Sequence, residues 1–343
     1  NTTEHQFPNQ STSINNKCVL VVGGAGYIGS HICKVLSKNG HTPIVVDHNI
    51  EEKPWATSFG LAFNLNLPQE MHRLDDIVKR YNIDCCMHLA AYTAVGESVV
   101  NPTKYYKNNV VMTLQLIDFL NASGIKKFIF SSSAATYGIP EDGVCRDSDK
   151  TLMPINPYGK SKLMIESILQ DYNKAYDFNS ISLRYFNAAG ADPDAEVGEL
   201  RAEETHIIPL AIKAAMSGKG FKLFGDDYNT KDGTCVRDYV HVMDLAEGHK
   251  MSFNYLLKNK GCFKFNLGTG KGYSVLEIAK TFQKIFNKNI KISFQKRRIG
   301  DMKEIVASNK KLNNFIKWKP KFNNLNKMVI STFTWNKYIS KIL

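Results

Sequence analysis

The chain has 343 residues, 43% hydrophobic and 22% charged, enough to bury a large core and to form two lobes. No apolar run approaches the roughly 20 residues that cross a bilayer. The first sixteen residues are polar, without the apolar centre of a secretory signal, so no membrane partner is expected. The net charge of +12 admits nucleic-acid binding, but no nucleic-acid motif accompanies Lys288, Lys291, Lys296, Lys310, Lys311, Lys317, Lys319 and Lys321. A lysine- and asparagine-rich composition accounts for them, and part of the excess can attract an anionic substrate. No nucleic-acid partner is expected. Cysteines at 18, 33, 85, 86, 145, 235 and 262 form no C-x-x-C pair. That argues against a zinc site or disulfide framework, so no metal is expected, and for a reducing compartment, the cytoplasm.

Residues 1–16, rich in Asn, Gln, Ser and Thr, read as a disordered tail. The apolar run Val19-Leu20-Val21-Val22 predicts a strand over 18–22. It feeds Gly23-Gly24-Ala25-Gly26-Tyr27-Ile28-Gly29, after which Ile32, Val35 and Leu36 recur at helical spacing over 27–38. Strand, glycine turn and helix start form a dinucleotide cradle, with backbone N–H groups and the helix dipole facing a pyrophosphate. The spacing is G-x-x-G-x-x-G, a variant of G-x-G-x-x-G that leaves the physics unchanged. A second strand over 42–46 ends in Asp47, an acid about 20 positions past the turn. Such a carboxylate can accept hydrogen bonds from a ribose diol and repels a 2′-phosphate, favouring NAD over NADP; the plain alternative is a solvated strand-end aspartate.

Further strands are predicted at 84–89, 127–131 and 179–185, and helices near 72–82, 100–122 and 158–176. This alternation implies an α/β fold, a Rossmann-type doubly wound parallel sheet covered on both faces, over residues 17–186. Past 187 the pattern loosens into loops at 190–205 and 225–236 and shorter helices at 207–217 and 241–257. These predict a smaller mixed α/β substrate lobe over 187–343, with segments near 237–270 returning to the main sheet; among them is the run Phe263-Lys264-Phe265-Asn266-Leu267.

The chemistry-bearing pattern is Tyr158-Gly159-Lys160-Ser161-Lys162, downstream of Ser131-Ser132-Ser133. A phenol has a reference pKa near 10 and is a poor base at neutral pH. On a helix, Tyr158 and Lys162 lie one turn apart on the same face. The lysine's charge then favours the phenolate, and a serine hydroxyl can hold the same substrate oxygen. The trio suits taking a proton from a sugar or alcohol hydroxyl while a cofactor accepts a hydride. Ligands of open α/β sheets bind at the C-terminal ends of strands, where Asp47, Ser133 and Tyr185 to Asn187 are expected.

In chain order, several segments resemble the extended short-chain dehydrogenase/reductase superfamily and, within it, the UDP-glucose 4-epimerase family. They are Gly23 to Gly29, Ala94-Val95-Gly96-Glu97-Ser98, Tyr105-Tyr106-Lys107-Asn108-Asn109-Val110, Phe130-Ser131-Ser132-Ser133 and Pro157 to Lys162. Arg184-Tyr185-Phe186-Asn187, Asp232 to Val242 and Arg297-Arg298-Ile299-Gly300-Asp301 complete the match, which runs from about Lys17 to the mid-320s. The resemblance implies an NAD-dependent epimerase that interconverts UDP-galactose and UDP-glucose through a 4-keto sugar, with Tyr158, Lys162 and Ser133 catalytic. It assigns Gly23, Gly26, Tyr27, Ile28, Gly29, Asp47, Leu89, Ala90, Ala91, Asn108 and Phe186 to the cofactor, together with the catalytic trio. It assigns Tyr185, Asn187, His206, Phe224, Arg237, Arg298 and Asp301 to the UDP-sugar, with Ser133 and Tyr158. Ile305 falls beside the sugar's 2-position. A homodimer through helices matching 100–122 and 158–176 is also implied.

Each carried residue has a plainer alternative: surface ion pairs for Arg237 and Arg298, a helix-terminal histidine for His206, an arginine-orienting role for Asp301, a buried strand residue for Ile305. Three departures stand out. The segment after Asp47 is short, Thr93 replaces a lysine common in the cofactor-lining loop, and Ile299 replaces a common glutamate. Among rival readings, a 4,6-dehydratase needs an acid beside Ser133, where Ala134-Ala135 stand. A UDP-pentose or uronate epimerase or decarboxylase stays open, as does a non-catalytic NAD-sensing protein, although the latter would have little use for both Tyr158 and Lys162.

Overall fold

The computed structural model describes residues 16–200 and 206–342, so the expected tail lies outside them except for Asn16. Apolar, β-branched segments form a seven-stranded parallel sheet in the spatial order Cys262–Leu267, Asn179–Tyr185, Lys127–Ser133, Ile83–His88, Cys18–Val22, Thr42–Asp47, Leu61–Asn64. Strand side chains alternate between faces. Val19, Val21, Val45, Met87, Ile129 and Phe265 meet the helices Tyr27–Lys38 and Val242–Leu256. Leu20, Val22, Ile44, Phe128 and Phe130 meet Met71–Arg80, Thr113–Ala122 and Pro157–Tyr176 on the other face. Each fully buried Leu, Ile, Val or Phe contributes roughly 1.5–3 kcal/mol to this sandwich.

Two local readings differ from expectation. The helix expected over 100–122 is interrupted. Val95–Val100 stops at Asn101, Pro102 starts the next turn with the Asn101 side chain accepting from Lys104 N, and Tyr106–Met112 winds as a π-helix before Thr113–Ala122. Proline disfavours helical backbone in the residue before it and suits the first helical position, so the break belongs there. The strand Leu61–Asn64, unforeseen, pairs with Thr42–Asp47 at the sheet's edge.

A second sheet carries Gly272–Ser274, Val236–His241, Glu304–Ala307 and Val144–Cys145, with Asn187–Ala189 also paired to Val236–His241. Phe221–Phe224 and Ile292–Gln295 form a separate parallel pair. Lys34 on the first helix reaches the chain beyond Asn187–Ala189: its ammonium meets Asp192 at 2.7 Å, Asp194 at 2.8 Å and Glu196 at 2.9 Å. This cluster of carboxylates therefore holds a side-chain cation.

Candidate active site

The glycine turn is shaped for close approach. Gly23 has φ +83°, and a Cβ there would sit 2.7 Å from Ala90 N; a Cβ on Gly29 would sit 2.3 Å from the Gly23 carbonyl. Only glycine satisfies both demands. Gly23 N donates to Val46 O, and Leu89 N to Val22 O, both at 2.8 Å, which brings Leu89, Ala90 and Ala91 beside the turn. Asp47 is buried; its carboxylate accepts from Ala25 N at 3.0 Å and from His48 N at 2.8 Å, so it braces the turn from within. A tight glycine turn, an uncrowded helix start and an acid at the neighbouring strand's end fit a dinucleotide such as NAD. Tyr27 directs its hydroxyl to the Gly190 carbonyl, and Ile28 packs against the core.

The residues expected to transfer the proton meet at the C-terminal end of Lys127–Ser133. Asn156 caps the helix Pro157–Tyr176 by accepting from Gly159 N at 2.8 Å, so Tyr158 sits in its first turn and Lys162 one turn later. The Lys162 Nζ lies 5.8 Å from the Tyr158 ring centre and donates to the Ser131 carbonyl at 2.7 Å. Burial pushes the Lys162 ammonium down to about 7, with the Glu166 charge pulling the other way. Burial also raises the Tyr158 phenol, against a hydrogen bond with Ser133 that lowers it. Ser133 Oγ accepts from Ala135 N at 3.1 Å, which orients the hydroxyl. Tyr185 directs its hydroxyl to His249 Nε2, while His249 Nδ1 faces the Leu245 carbonyl at 2.8 Å.

Asn108 sits in the π-helix and donates to Asn109 Oδ1 at 2.9 Å. Asn109 is the buried member of the pair: it joins Tyr92 N and O, at 3.1 and 3.0 Å, to the catalytic helix through Ser161 Oγ at 3.4 Å. π-turns concentrate at functional sites, but nothing in a short N-N pair announces one.

Asn187, His206, Phe224, Arg237, Arg298 and Asp301, expected on the substrate side, line a cavity of ≈ 660 Å³ together with Tyr27, expected at the cofactor, and others. Arg298 stacks its guanidinium 3.9 Å above the Phe224 ring, a cation–π arrangement. His206 stands at the N-terminus of Ile207–Ser217, whose positive end faces the same cavity. Asp301 donates its N–H to the Arg298 carbonyl at 3.2 Å. Lys213 and Lys222 also line the cavity and had no local signal in the sequence. Of the expected substrate residues, the lining omits Ser133, Tyr158, Tyr185 and Ile305. Two links connect the groups: Asn187 follows Tyr185 and Phe186 directly, and Ile305 pairs in register with Arg237. Phe186 lies against Gly268, where a Cβ would come within 3.2 Å of its ring.

Residues 19–268 match the model of the NAD dependent epimerase/dehydratase family. The chain belongs to this family. Among the relatives of this epimerase/dehydratase, the UDP-glucose 4-epimerase of Rhizobium leguminosarum bv. trifolii is 43% identical over 93% of this chain and 97% of its own length. The Brucella ovis UDP-glucose 4-epimerase, solved in complex with NAD, superposes with a TM-score of 0.86 at 38% identity, covering 92% of this chain and 97% of that one. The Bifidobacterium longum UDP-glucose 4-epimerase, solved with NAD+ and UDP, gives 0.87 at 35% identity, covering 95% of this chain and 100% of that one. The chain is an NAD-dependent α/β protein of Rossmann type, and no helix among its described residues is long and apolar enough to cross a membrane.

Proposed function

We propose that this chain interconverts UDP-galactose and UDP-glucose, in a homodimer, in the cytoplasm. The observation that carries the activity is the Tyr158–Lys162–Ser133 set on one side of the cofactor cradle, beside a cavity whose arginines and aromatic ring suit a nucleoside diphosphate. Bound NAD would supply a two-electron acceptor and donor for the C4 hydride. Tyr158 takes the 4-hydroxyl proton from the sugar, with Ser133 holding O4 and the Lys162 charge favouring the phenolate. When the hydride returns to the opposite face of C4, Tyr158 returns the proton to the inverted hydroxyl.

Arg237 and Arg298 would grip the pyrophosphate, where planar guanidinium forks match phosphate oxygens. Phe224, already stacked under Arg298, offers a face for the base, and Asn187, His206 and Asp301 border the same space. A grip on the nucleotide alone leaves the 4-keto sugar free to turn over between the two hydride transfers. Ala134 and Ala135 leave no acid beside Ser133 to expel water, which disfavours a dehydratase.

The test is incubation of purified protein with UDP-galactose. UDP-glucose should form without net NADH. Stoichiometric NADH accumulation, or release of carbon dioxide or water from the sugar, would point instead to a dehydrogenase, decarboxylase or dehydratase.

A further inference from the structure

Directly behind the catalytic residues lies a buried ionic cluster that the proton-transfer scheme does not use. Glu166 is fully buried, one turn beyond Lys162 on the same helix. Its carboxylate accepts from Arg184 Nε at 3.1 Å and Nη2 at 2.6 Å, and from Ser132 Oγ at 2.7 Å. Arg184 also donates through Nη1 to Tyr137 Oη at 2.9 Å, and Tyr137 donates to Asn266 Oδ1 at 2.7 Å. Each partner sits next to a residue that does chemistry: Ser132 lies between Ser131, which receives Lys162, and Ser133, while Arg184 precedes Tyr185.

We infer that Glu166 is a positioning residue for the reaction, locking the catalytic helix to the serine strand and placing a fixed negative charge behind Lys162. This inference rests on the epimerase reading and assigns it a further member. A buried ion pair is weak grounds for stability, since apolar replacements of similar volume are often as stable. Here the carboxylate instead sets a pitch, because it binds two different strands at once: both oxygens accept from Arg184, and one of them also accepts from Ser132. Misplacement of reacting groups by about 1 Å can cost as much as 10²-fold in rate, so holding that pitch matters to turnover.

The charge has its own consequence. Lys162 faces Tyr158 and Glu166 on its own helix, the Ser131 carbonyl and Phe130 ring of Lys127–Ser133, and His88 at the end of Ile83–His88. Burial, and then the Lys162 charge, hold the His88 imidazole down to about 3, so it brings no compensating charge. Glu166 is the anion of this group; behind it stand Arg184 and, at 4.0 Å, Lys264. Removing the carboxylate lets burial lower the ammonium further, so the protonated lysine is lost at lower pH.

The experiment compares kcat and KM for UDP-galactose across pH in the parent, in Ser132→Ala and in the paired Glu166→Leu/Arg184→Met variant. Urea unfolding is the folding control. Ser132→Ala removes one strand link without touching charge, and kcat should fall about three- to tenfold with KM held and the pH profile unmoved. The paired variant should fold, keep KM, lose about tenfold or more in kcat, and move the upper pH limb of kcat downward. Parent kcat in Ser132→Ala, or an unmoved limb in a folded paired variant, overturns the inference. If the paired variant does not fold, Ser132→Ala alone decides. A parent protein without activity on UDP-galactose would overturn the functional reading instead.

Discussion

Tyr158 and Lys162 show how little chemistry a residue type carries without its surroundings. Alone, Tyr158 is a phenol that burial makes still harder to ionise. The Ser133 hydrogen bond works against that shift, and in the proposed reaction the phenol would act as a base only with Lys162, one turn away and held by the Ser131 carbonyl, charged beside it. Tyr158→Phe removes the proton carrier while keeping the ring, so turnover should fall by at least about 10²-fold. Nucleotide-sugar binding, measured by calorimetry with UDP-galactose, should stay close to the parent. Near-normal turnover would take Tyr158 out of the mechanism. Ile305 is a subtler residue. It sits beside Arg237, which lines the cavity proposed for the nucleotide, and it is only partly buried. Its branched side chain is stiff, and if it borders the sugar's 2-position, plain UDP-hexoses should be preferred over N-acetylated ones. Ile305→Gly should raise epimerisation of UDP-N-acetylglucosamine relative to UDP-glucose. A flat ratio, or equal treatment of both by the parent, would mean that Ile305 is no gate.

The catalytic helix Pro157–Tyr176 is set by its first residues: Asn156 as N-cap, Pro157 at a position that needs no N–H, and Tyr158 immediately after. Asn156→Ala should cost about 1 kcal/mol, a drop of a few degrees in the melting midpoint by calorimetry. Because the freed turn carries Tyr158, kcat should drop by more than that loss of stability alone explains; an unchanged kcat would show the cap to be dispensable for the site. The helix was read in advance over 158–176, as were the glycine turn and its flanking strands, because glycines and apolar periods are local signals; its Asn156 cap was not read. Leu61–Asn64 escaped because four residues are too few to show a period. The single helix expected over 100–122 overlooked the Asn101-Pro102 break, although that signal was present. The links Glu166–Arg184, Arg298–Phe224 and Arg237–Ile305 had no local trace. They come from strands and helices that meet only after folding, so the resemblance could suggest several of the residues but not their contacts.

Across the whole molecule, the surface says something the active site does not. The short helix Val95–Val100, the π-helix and Pro157–Tyr176 lie together, and they leave large apolar side chains in solvent: Val99 at 61%, Val100 at 82%, Val111 at 49% and Met164 at 44% exposure. Isolated exposed apolar residues need no explanation, but several on neighbouring helices suit a contact with another protein. The same helices hold Asn108 and Tyr158, so a second copy docked there would brace the cofactor and proton-transfer residues from outside. A two-fold partner presenting the same patch is the simplest occupant, because self-complementary faces close after two copies. Sedimentation velocity at micromolar concentration should therefore show a dimer. Val100→Asp places a charge on each side of the contact, where like charges cannot both be desolvated cheaply. It should shift the sedimentation peak toward the monomer while leaving the unfolding midpoint of the isolated chain nearly unchanged, since Val100 contributes little to the core. A parent that sediments only as monomer, or a Val100→Asp variant that stays dimeric, would move the interface elsewhere and leave this apolar face without its proposed partner.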